Sequence, residues 1–214
     1  MNLEHHYWYF KQALPVHLCK DIVAYGLKHT AGTAIIRGFS TGNQTRDLKK
    51  NPLNKQEIKK LHKIRNSNVS WLDDPWIYKE IHPYINEANR NAGWNFEWDW
   101  SESIQFTHYR LNYHYDWHRD SSEKPYNDPN NKNRVGKIRK LSATVALSPP
   151  EDYRGGNLEF NFGNSIKSKA KVCEEARLQG SIIVFPSFMF HRVTPVTKGT
   201  RYSLVLWQLG KPFK

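Results

Sequence analysis

The sequence predicts a mainly β fold with N-terminal helices, an α+β class in which helices in the first half support an antiparallel β-sandwich or barrel in the second half. Three segments before residue 93 carry helix-like apolar spacing or helix start and stop signals. After residue 94, short runs rich in β-branched and aromatic residues are separated by Gly and Pro turns. With 214 residues, the chain is long enough for one compact domain with a sizeable core.

The first half holds three predicted helices. Residues 15–29 place four apolar side chains on one helical face: Leu18, Ile22, Val23 and Leu27. Asn54 is a candidate N-cap for a short helix that carries Ile58, Leu61 and Ile64. Residues 75–91 begin with a proline and stop before a glycine, and we expect Pro83 to kink or split that helix. Residues 34–36 and 68–72 are predicted strands, and residues 38–54 an exposed loop.

The second half holds the predicted strands. Residues 94–98 alternate apolar and polar, and residues 104–109 do so in part. Further β-rich runs are residues 141–147, 158–160, 181–185 and 202–207. Residues 121–140 are too long and too polar for a hairpin turn, so we expect a lid, a binding loop or a disordered segment there. We therefore divide the chain into an N-terminal helical support region, residues 1–93 with a basic insertion at about 38–65, and a β core, residues 94–214.

Composition and cysteine content limit the class of protein. A chain with 38% hydrophobic and 14% aromatic residues is globular and not disordered. Cys19 and Cys173 are too few for a disulfide framework and lack metal-ligand spacing, which favours a reducing cytoplasm, the host's if the chain is encoded by a phage. We expect neither a signal peptide nor a membrane span, because no apolar run approaches about 18 residues. The oligomeric state has no signal in the sequence.

Positive charge is concentrated in one segment of the chain. The net charge is +12, and half of it lies between residues 46 and 65. This segment contains eight basic residues and two acidic ones, Asp47 and Glu57. The basic residues are Arg46, Lys49, Lys50, Lys55, Lys59, Lys60, Lys63 and Arg65. One interpretation is a solvated, lysine-rich surface. The other is a patch for nucleic acid or an acidic protein, although the segment lacks the aromatic residues that stack on single strands.

Two overlapping His-x-Asp pairs are candidate metal ligands. In an extended strand alternate side chains share a face, so His114 with Asp116 and His118 with Asp120 are both possible by spacing. Position favours the second pair, because Asp120 is followed at once by the polar loop and so lies at a strand end that a substrate can reach. By the same alternation, the aromatic residues at positions 113, 115 and 117 are expected on the opposite face.

A third ligand and a cation lie in the last part of the chain. Residues 180–186 read as a buried strand, after which His191 follows a turn and Arg201 comes after a second one. We interpret the segment as a hairpin with His191 on one strand and Arg201 on the other. Two imidazoles and one carboxylate that leave coordination positions open are typical of a non-haem Fe(II) centre that binds O₂ and a co-substrate. Arg201 suggests a co-substrate with a distal carboxylate.

The order of motifs resembles that of the Fe(II)- and 2-oxoglutarate-dependent dioxygenases. The chain carries, in order, YDWHRD at 115–120, ATV at 143–145, GGNLEF at 155–160, FPS at 185–187, HRV at 191–193 and GTRYSL at 199–204. These motifs are similar to those of the prolyl 4-hydroxylase-like group, including its phage and bacterial members. The resemblance covers about residues 94–209 and implies a double-stranded β-helix core, the jelly roll of cupin-like folds.

The resemblance also implies roles for individual residues. It makes His118, Asp120 and His191 the iron ligands, because the family places a tyrosine three residues before its first histidine and Tyr115 fits only His118. Arg201 would bind the distal carboxylate of 2-oxoglutarate, with three pocket residues beside it: Tyr109, Thr144 and Ser203. Animal and plant prolyl 4-hydroxylases usually carry Lys where this chain has Arg201. The implied cofactors are Fe(II), 2-oxoglutarate and O₂, with ascorbate as a candidate reductant.

The implied reaction is hydroxylation of an unactivated C–H group with release of succinate and CO₂, and a peptidyl proline is the leading substrate. A second hypothesis is a nucleic-acid oxygenase resembling the AlkB-type demethylases, which the basic segment motivates. Those enzymes carry a second arginine about six residues after the one that binds 2-oxoglutarate, where this chain has Trp207. Two further hypotheses are a hydroxylase of non-prolyl or small-molecule substrates and a fold member that has lost its metal.

Overall fold

The computed structural model describes residues 3–29, 32–33, 53–129, 131–163 and 168–213. Within these residues three helices are present: α1 (Val16–Lys28), α2 (Lys55–Ile64) and α3 (Pro75–Asn91). Short 3₁₀ turns occupy Pro150–Asp152 and Glu174–Arg177. All three helices were predicted from the sequence, and α3 continues through Pro83 without a break.

Fifteen strands are found in the described ranges, so the mainly β prediction is confirmed. They are β1 (Trp8–Phe10), β2 (Gly32–Thr33), β3 (Arg65–Asn66), β4 (Asn68–Leu72), β5 (Trp100–Ser101), β6 (Ile104–Tyr109), β7 (His114–His118), β8 (Ile138–Ala146), β9 (Tyr153–Gly155), β10 (Leu158–Asn161), β11 (Lys171–Val172), β12 (Ile182–Pro186), β13 (Phe190–Val193), β14 (Val196–Gly199) and β15 (Arg201–Gly210).

The strands form two facing sheets and one small ribbon. The large sheet has the order β1-β12-β8-β15-β6-β4-β2, with β5 paired to β15. The small sheet has the order β11-β10-β13-β7-β3, and β9 pairs with β14. All pairings are antiparallel. Strands from the first 93 residues join both sheets, so the N-terminal region contributes strands as well as helices.

Three apolar clusters lie in the described part of the fold, and the two largest hold the layers together. The larger one lies between helices α1 and α3 and the outer face of the large sheet. There Gly26 of α1 lies so close to the Phe106 ring that a Cβ would come within 2.5 Å of it. The smaller cluster, which includes Phe160, Ile183 and Phe185, fills part of the space between the two sheets. The helices thus cover the outer face of the large sheet, and its inner face packs against the small sheet.

Helix α2 begins with a capping box. The side chain of Asn54 accepts hydrogen bonds from the backbone N–H groups of Gln56 and Glu57, at 3.0 and 2.9 Å. The Glu57 carboxylate in turn accepts from the Asn54 backbone N–H at 2.8 Å. These bonds satisfy N–H groups that the first turn of a helix leaves without intrahelical partners.

We expect Asn54→Ala to lower the free energy of unfolding by about 1 kcal/mol, because alanine cannot accept those N–H groups. The change is measured as a shift of the urea denaturation midpoint. Asn91→Ala is the matched control, since Asn91 is exposed at the end of α3 and makes one long side-chain contact, to Glu87 at 3.5 Å. An equal shift for the two variants would contradict the capping role.

The structure corrects the sequence-based interpretation at two points. Residues 94–98 alternate in burial but form no strand, because Asn95 has a φ of 49° and Phe96 bonds to the side chain of Asn89 instead of a neighbouring strand. His191 and Arg201 do not form a hairpin. Strand β13 lies in the small sheet and β15 in the large one, with β14 between them in the chain.

The predicted strand at 34–36 and most of the predicted loop at 38–54 lie outside the described residues. A search of the described residues gives no helix that is long and apolar enough to cross a membrane.

Candidate metal centre

Three side chains that can bind a metal converge between the sheets. His118 is the last residue of β7, and His191 lies opposite it on β13 in direct register. Asp120 follows two residues after the end of β7. Its carboxylate oxygens lie 3.7 Å from His118 Nε2 and 3.6 Å from His191 Nε2. One ligand atom from each residue lies within 4.8 Å of the others, so a single ion can contact all three.

Backbone carbonyls fix the orientation of both imidazoles. The Nδ1–H of His118 donates to the carbonyl of Asp116 at 2.8 Å, and that of His191 donates to the carbonyl of Met189 at 3.0 Å. Because a carbonyl can only accept, each Nδ1 carries a proton, and Nε2 is the ring nitrogen directed to the centre. Histidines that bind a metal through one ring nitrogen commonly donate the other ring N–H to such a carbonyl, which fixes the orientation of the ring.

Burial and charge place His118 and Asp120 in their metal-binding protonation states. Burial, together with the neighbouring His191, lowers the pKa of His118 to about 3. Burial acts to raise the pKa of Asp120, but His191, His118 and Arg139 outweigh it and lower that pKa to about 2. At neutral pH the centre therefore holds a neutral imidazole at His118 and a carboxylate at Asp120, as metal binding requires.

Hydrogen bonds from the large sheet hold the Asp120 carboxylate. Ser142 on β8 donates to Asp120 Oδ2 at 2.7 Å, and its hydroxyl also lies 2.9 Å from that of Ser187. The backbone N–H of Asp120 donates to the Ser187 carbonyl at 2.9 Å. On the other side, Arg139 Nη1 lies 4.0 Å from Oδ1. Ser142 and Arg139 carry no motif that would have identified them in the sequence, whereas Ser187 lies in the FPS motif at 185–187.

We expect Ser142→Ala to weaken iron binding by about 10- to 100-fold, the usual cost of removing a group that holds a metal ligand. Asp120 would lose its donor from the large sheet and gain freedom to rotate. The dissociation constant for Fe(II) is measured under anaerobic conditions. Ser122→Ala, in the exposed loop, is the matched control. Unchanged iron affinity in Ser142→Ala would refute the supporting role.

A β-bulge decides between the two His-x-Asp pairs. His191 pairs with His118 but Val193 pairs with Tyr115, so three steps along β7 oppose two along β13. The bulge breaks the alternation expected from the sequence, and Asp116 is exposed. Tyr115 was expected on the opposite face, which is wrong: its ring stacks on His118 with 3.5 Å between centroids.

The rival histidine of the first pair points elsewhere. The Nδ1 of His114 contacts the carbonyl of Asn112 at 3.1 Å, and its Nε2 contacts the carbonyl of Lys63 at 3.3 Å. Among the described residues, the metal-compatible cluster contains His118, Asp120 and His191 and neither member of the rival pair.

The predicted co-substrate residues share the inward face of the large sheet. Arg201 pairs with Tyr109, and the guanidinium lies 5.3 Å from the centroid of that ring. Arg201 also donates to the Ser203 hydroxyl at 3.2 Å. Thr144 pairs with Val205, which alternates onto the same face as Arg201 and Ser203. Because Ser142 on this face reaches Asp120, the face is directed towards the metal ligands.

Arg201 is buried, at 3% exposure, and a glycine makes room for it. A Cβ on Gly156 would lie 3.0 Å from the Cδ of Arg201, and the φ of Gly156 is +60°, which residues with a side chain rarely adopt. Among the described residues no carboxylate lies within 4.0 Å of the Arg201 guanidinium. A buried guanidinium without a carboxylate partner is suited to bind the carboxylate of a ligand.

Arg65 is the last residue of the basic segment at 46–65, but it is 5% exposed and lies inside the fold. Its guanidinium donates to Ser67 and to Gln105, both at 3.0 Å, and covers the Tyr115 ring at 4.4 Å. Since Tyr115 stacks on His118, the guanidinium, the phenol and the imidazole form one column beside the metal ligands. Sequence reasoning missed this role because Arg65 ends a run of exposed lysines.

The rest of the basic segment divides into two parts. Lys55, Lys59, Lys60 and Lys63 are exposed on α2, whereas Arg46, Lys49 and Lys50 lie outside the described residues. In the predicted loop at 121–140, the described residues up to 137 belong to no helix or strand, and residues 138–140 belong to strand β8. Its role as a lid stays a prediction.

Comparisons with known proteins agree with this arrangement. The profile of the 2OG-Fe(II) oxygenase superfamily matches residues 104–209. A PKHD-type hydroxylase of Hyphomonas neptunium is 45% identical over 67 residues, which are 31% of this chain and 27% of that protein. The matched segment thus spans about a quarter of the length of this relative.

Solved structures show the same fold at low sequence identity. A prolyl-4-hydroxylase from Pseudomonas putida aligns with a TM-score of 0.63 and 17% identity over 96% of this chain and 93% of that one. A prolyl hydroxylase from Trichoplax adhaerens, in complex with a peptide fragment of the hypoxia inducible factor oxygen degradation domain, gives 0.65 and 14% over 96% and 84%. The predicted double-stranded β-helix is therefore confirmed.

Proposed function

Because the chain belongs to the 2OG-Fe(II) oxygenase superfamily, we propose that it is an Fe(II)- and 2-oxoglutarate-dependent hydroxylase acting on a prolyl residue of a polypeptide. The observation that carries the proposal is the cluster of His118, Asp120 and His191 facing the inward side of the sheet that bears Arg201. Two histidines and one carboxylate with open positions suit Fe(II), and the buried Arg201 suits a carboxylate of the co-substrate.

The residues present fit both cofactors of the family. His118, Asp120 and His191 would hold the iron, and Arg201 would bind the distal carboxylate of 2-oxoglutarate. Tyr109 and Ser203 lie within reach of the same guanidinium. When bound, iron and 2-oxoglutarate with O₂ convert a substrate C–H into C–OH and release succinate and CO₂. Ascorbate is the reductant we would add.

The chain itself would position the reactants and exclude water. The two histidine Nδ1–H bonds and the Ser142 hydroxyl keep the three ligands in place before the metal arrives. Thr144 would line the co-substrate pocket, since it lies on the same inward face as Arg201. Phe185 packs edge to face on His191 at 4.7 Å, which keeps that side of the centre apolar. The support region at 1–93 and the core at 94–214 would work as one compact domain.

A polypeptide substrate is supported by the names of similar proteins, which include PKHD-type and prolyl hydroxylases, one of them bound to a peptide. The cytoplasm is the compartment we propose, because Cys19 and Cys173 are both buried and unpaired. A nucleic-acid substrate is less well supported, since Trp207 stands where AlkB-type enzymes carry their second arginine. Trp207 is buried beneath the Arg139 guanidinium, at 3.7 Å.

The test is a turnover screen on an array of proline-containing peptides with Fe(II), 2-oxoglutarate and ascorbate. We expect at least one peptide to gain the mass of one oxygen atom in step with succinate release. Reactions without Fe(II), and peptides with each proline replaced by alanine, are the controls. Succinate release without peptide oxidation, stimulated by an oligonucleotide, would favour the AlkB-like function. Oxidation at a residue other than proline would refute the prolyl assignment and leave the cofactor assignment intact.

A further inference from the structure

A second concave site lies on the outside of the fold, between helix α3 and strand β5. It is an open cleft of about 450 Å³. Three tryptophan or tyrosine side chains, one histidine, two aspartates and two serines line it: Tyr78, Trp98, Trp100, His82, Asp73, Asp99, Ser101 and Ser103. None of these residues belongs to the metal centre.

Aromatic rings form a continuous wall of this cleft. His82 lies between two rings, with its centroid 5.2 Å from that of Tyr78 and 5.5 Å from that of Trp98. Hydrogen bonds hold the wall in place: Tyr78 donates to the Glu102 carbonyl at 2.9 Å, and His82 Nε2 lies 3.0 Å from the Ser101 hydroxyl. The faces of such rings attract cations through their quadrupoles.

The charges at the cleft also favour a cation. Among the described residues, the exposed Asp73 carboxylate has no hydrogen bond or ion pair, while Asp99 pairs with Lys137 at 2.6 Å. Burial and then the charge of Asp73 raise the pKa of Tyr78 to about 12. Burial lowers the pKa of His82, so that its imidazole is neutral at neutral pH and does not repel a cation. The negative site stands out in a chain of net charge +12.

We propose that this cleft binds a quaternary ammonium group, as carried by choline or by a trimethylated lysine side chain. Aromatic walls with a carboxylate nearby are the known means of holding such cations. A methylated ammonium suits these walls better than a primary ammonium, which is strongly hydrated and would lose more on leaving water. The inference is independent of the proposed hydroxylase activity, because no metal ligand or co-substrate residue takes part.

The test compares choline with its neutral carbon analogue, 3,3-dimethyl-1-butanol, by isothermal titration calorimetry on the full chain. The two molecules have the same shape and differ in charge. We expect choline to bind at least about tenfold more tightly, because cation–π and carboxylate attraction act only on the charged form. Equal affinities, or no binding of choline at concentrations up to ~50 mM, would overturn the proposal.

Two variants locate the binding in the cleft. Asp73→Asn changes an exposed side chain without altering its shape, and we expect it to weaken choline binding about threefold or more. Trp98→Leu removes part of the aromatic wall and should weaken it about tenfold. Asp21→Asn, an exposed aspartate on α1, is the matched control and should bind as the unchanged chain does. Choline binding that survives both cleft variants would also overturn the proposal.

A second arm separates the two sources of the same chemical group. A short peptide with one trimethyl-lysine is titrated beside the same peptide with unmodified lysine. Tighter binding of the methylated peptide than of choline identifies a polypeptide side chain as the ligand. Binding of the methylated peptide no tighter than that of choline identifies the free cation, and both results support a quaternary ammonium site.

Discussion

His118→Ala and Asp120→Ala are expected to abolish iron binding and iron-dependent turnover. Each change removes one of three ligands whose donor atoms lie within 4.8 Å of one another. Loss of a group that merely supports a ligand costs about 10- to 100-fold in metal affinity, so loss of a ligand itself should cost more than ~100-fold. Iron content per chain and succinate release from 2-oxoglutarate are the measurements.

The chain supplies its own control for this experiment. His114→Ala and Asp116→Ala make the same chemical changes nearby on β7, but the bulge in that strand directs these side chains away from the centre. We expect both control variants to keep their iron and their turnover. If Asp116→Ala lost iron and Asp120→Ala kept it, the assignment of the ligands would be wrong.

Arg201→Gln is expected to raise the KM for 2-oxoglutarate by roughly 30-fold or more. Removing one partner of a buried, hydrogen-bonded charge pair costs about 2–5 kcal/mol, which corresponds to at least that factor. Arg201 is 3% exposed and already held by Ser203, so water cannot readily replace the lost guanidinium. Turnover at saturating 2-oxoglutarate should fall much less than kcat/KM.

Arg201→Lys should give an intermediate KM, because lysine keeps the charge but not the planar fork that pairs with both carboxylate oxygens. Arg192→Lys is the matched control, since Arg192 lies on the outside of β13 and pairs with Glu159 at 2.8 Å. It should leave the KM unchanged. An Arg201→Gln protein with an unchanged KM for 2-oxoglutarate would show that another group binds the distal carboxylate.

Much of the fold could be predicted because local patterns and tertiary packing agree. Of the predicted apolar stripe in residues 15–29, Leu18, Ile22 and Val23 pack into the cluster beside the large sheet, whereas Leu27 is exposed. The start signals at Asn54 and Pro75 mark real helix starts. Alternation failed at residues 94–98, where Asn95 has a positive φ and Phe96 bonds to the side chain of Asn89. A burial pattern alone does not supply a hydrogen-bonding partner, and a strand needs one.

The site was predicted only in part, because some of its members are placed by strand pairing and not by a local sequence pattern. His118, Asp120, His191 and Arg201 carry chemistry that residue type and motif spacing reveal. Ser142 and Arg65 have no distinctive motif in the sequence. Strand pairing brings the Ser142 hydroxyl to Asp120 and the Arg65 guanidinium to the Tyr115 ring. A bulge is invisible to strict alternation, which is why Tyr115 was placed on the wrong face.

Residue identity and short-range spacing were enough to predict most of the helices and strands, the candidate metal ligands and Arg201 as the candidate cation for a co-substrate. Long-range packing settles which sheet each strand joins, places His191 and Arg201 in different sheets, and selects the His-x-Asp pair that faces inward. Those outcomes depend on pairings between residues far apart in the chain. Such pairings minimise unsatisfied backbone groups and exposed apolar area over the whole molecule, and no local pattern encodes them.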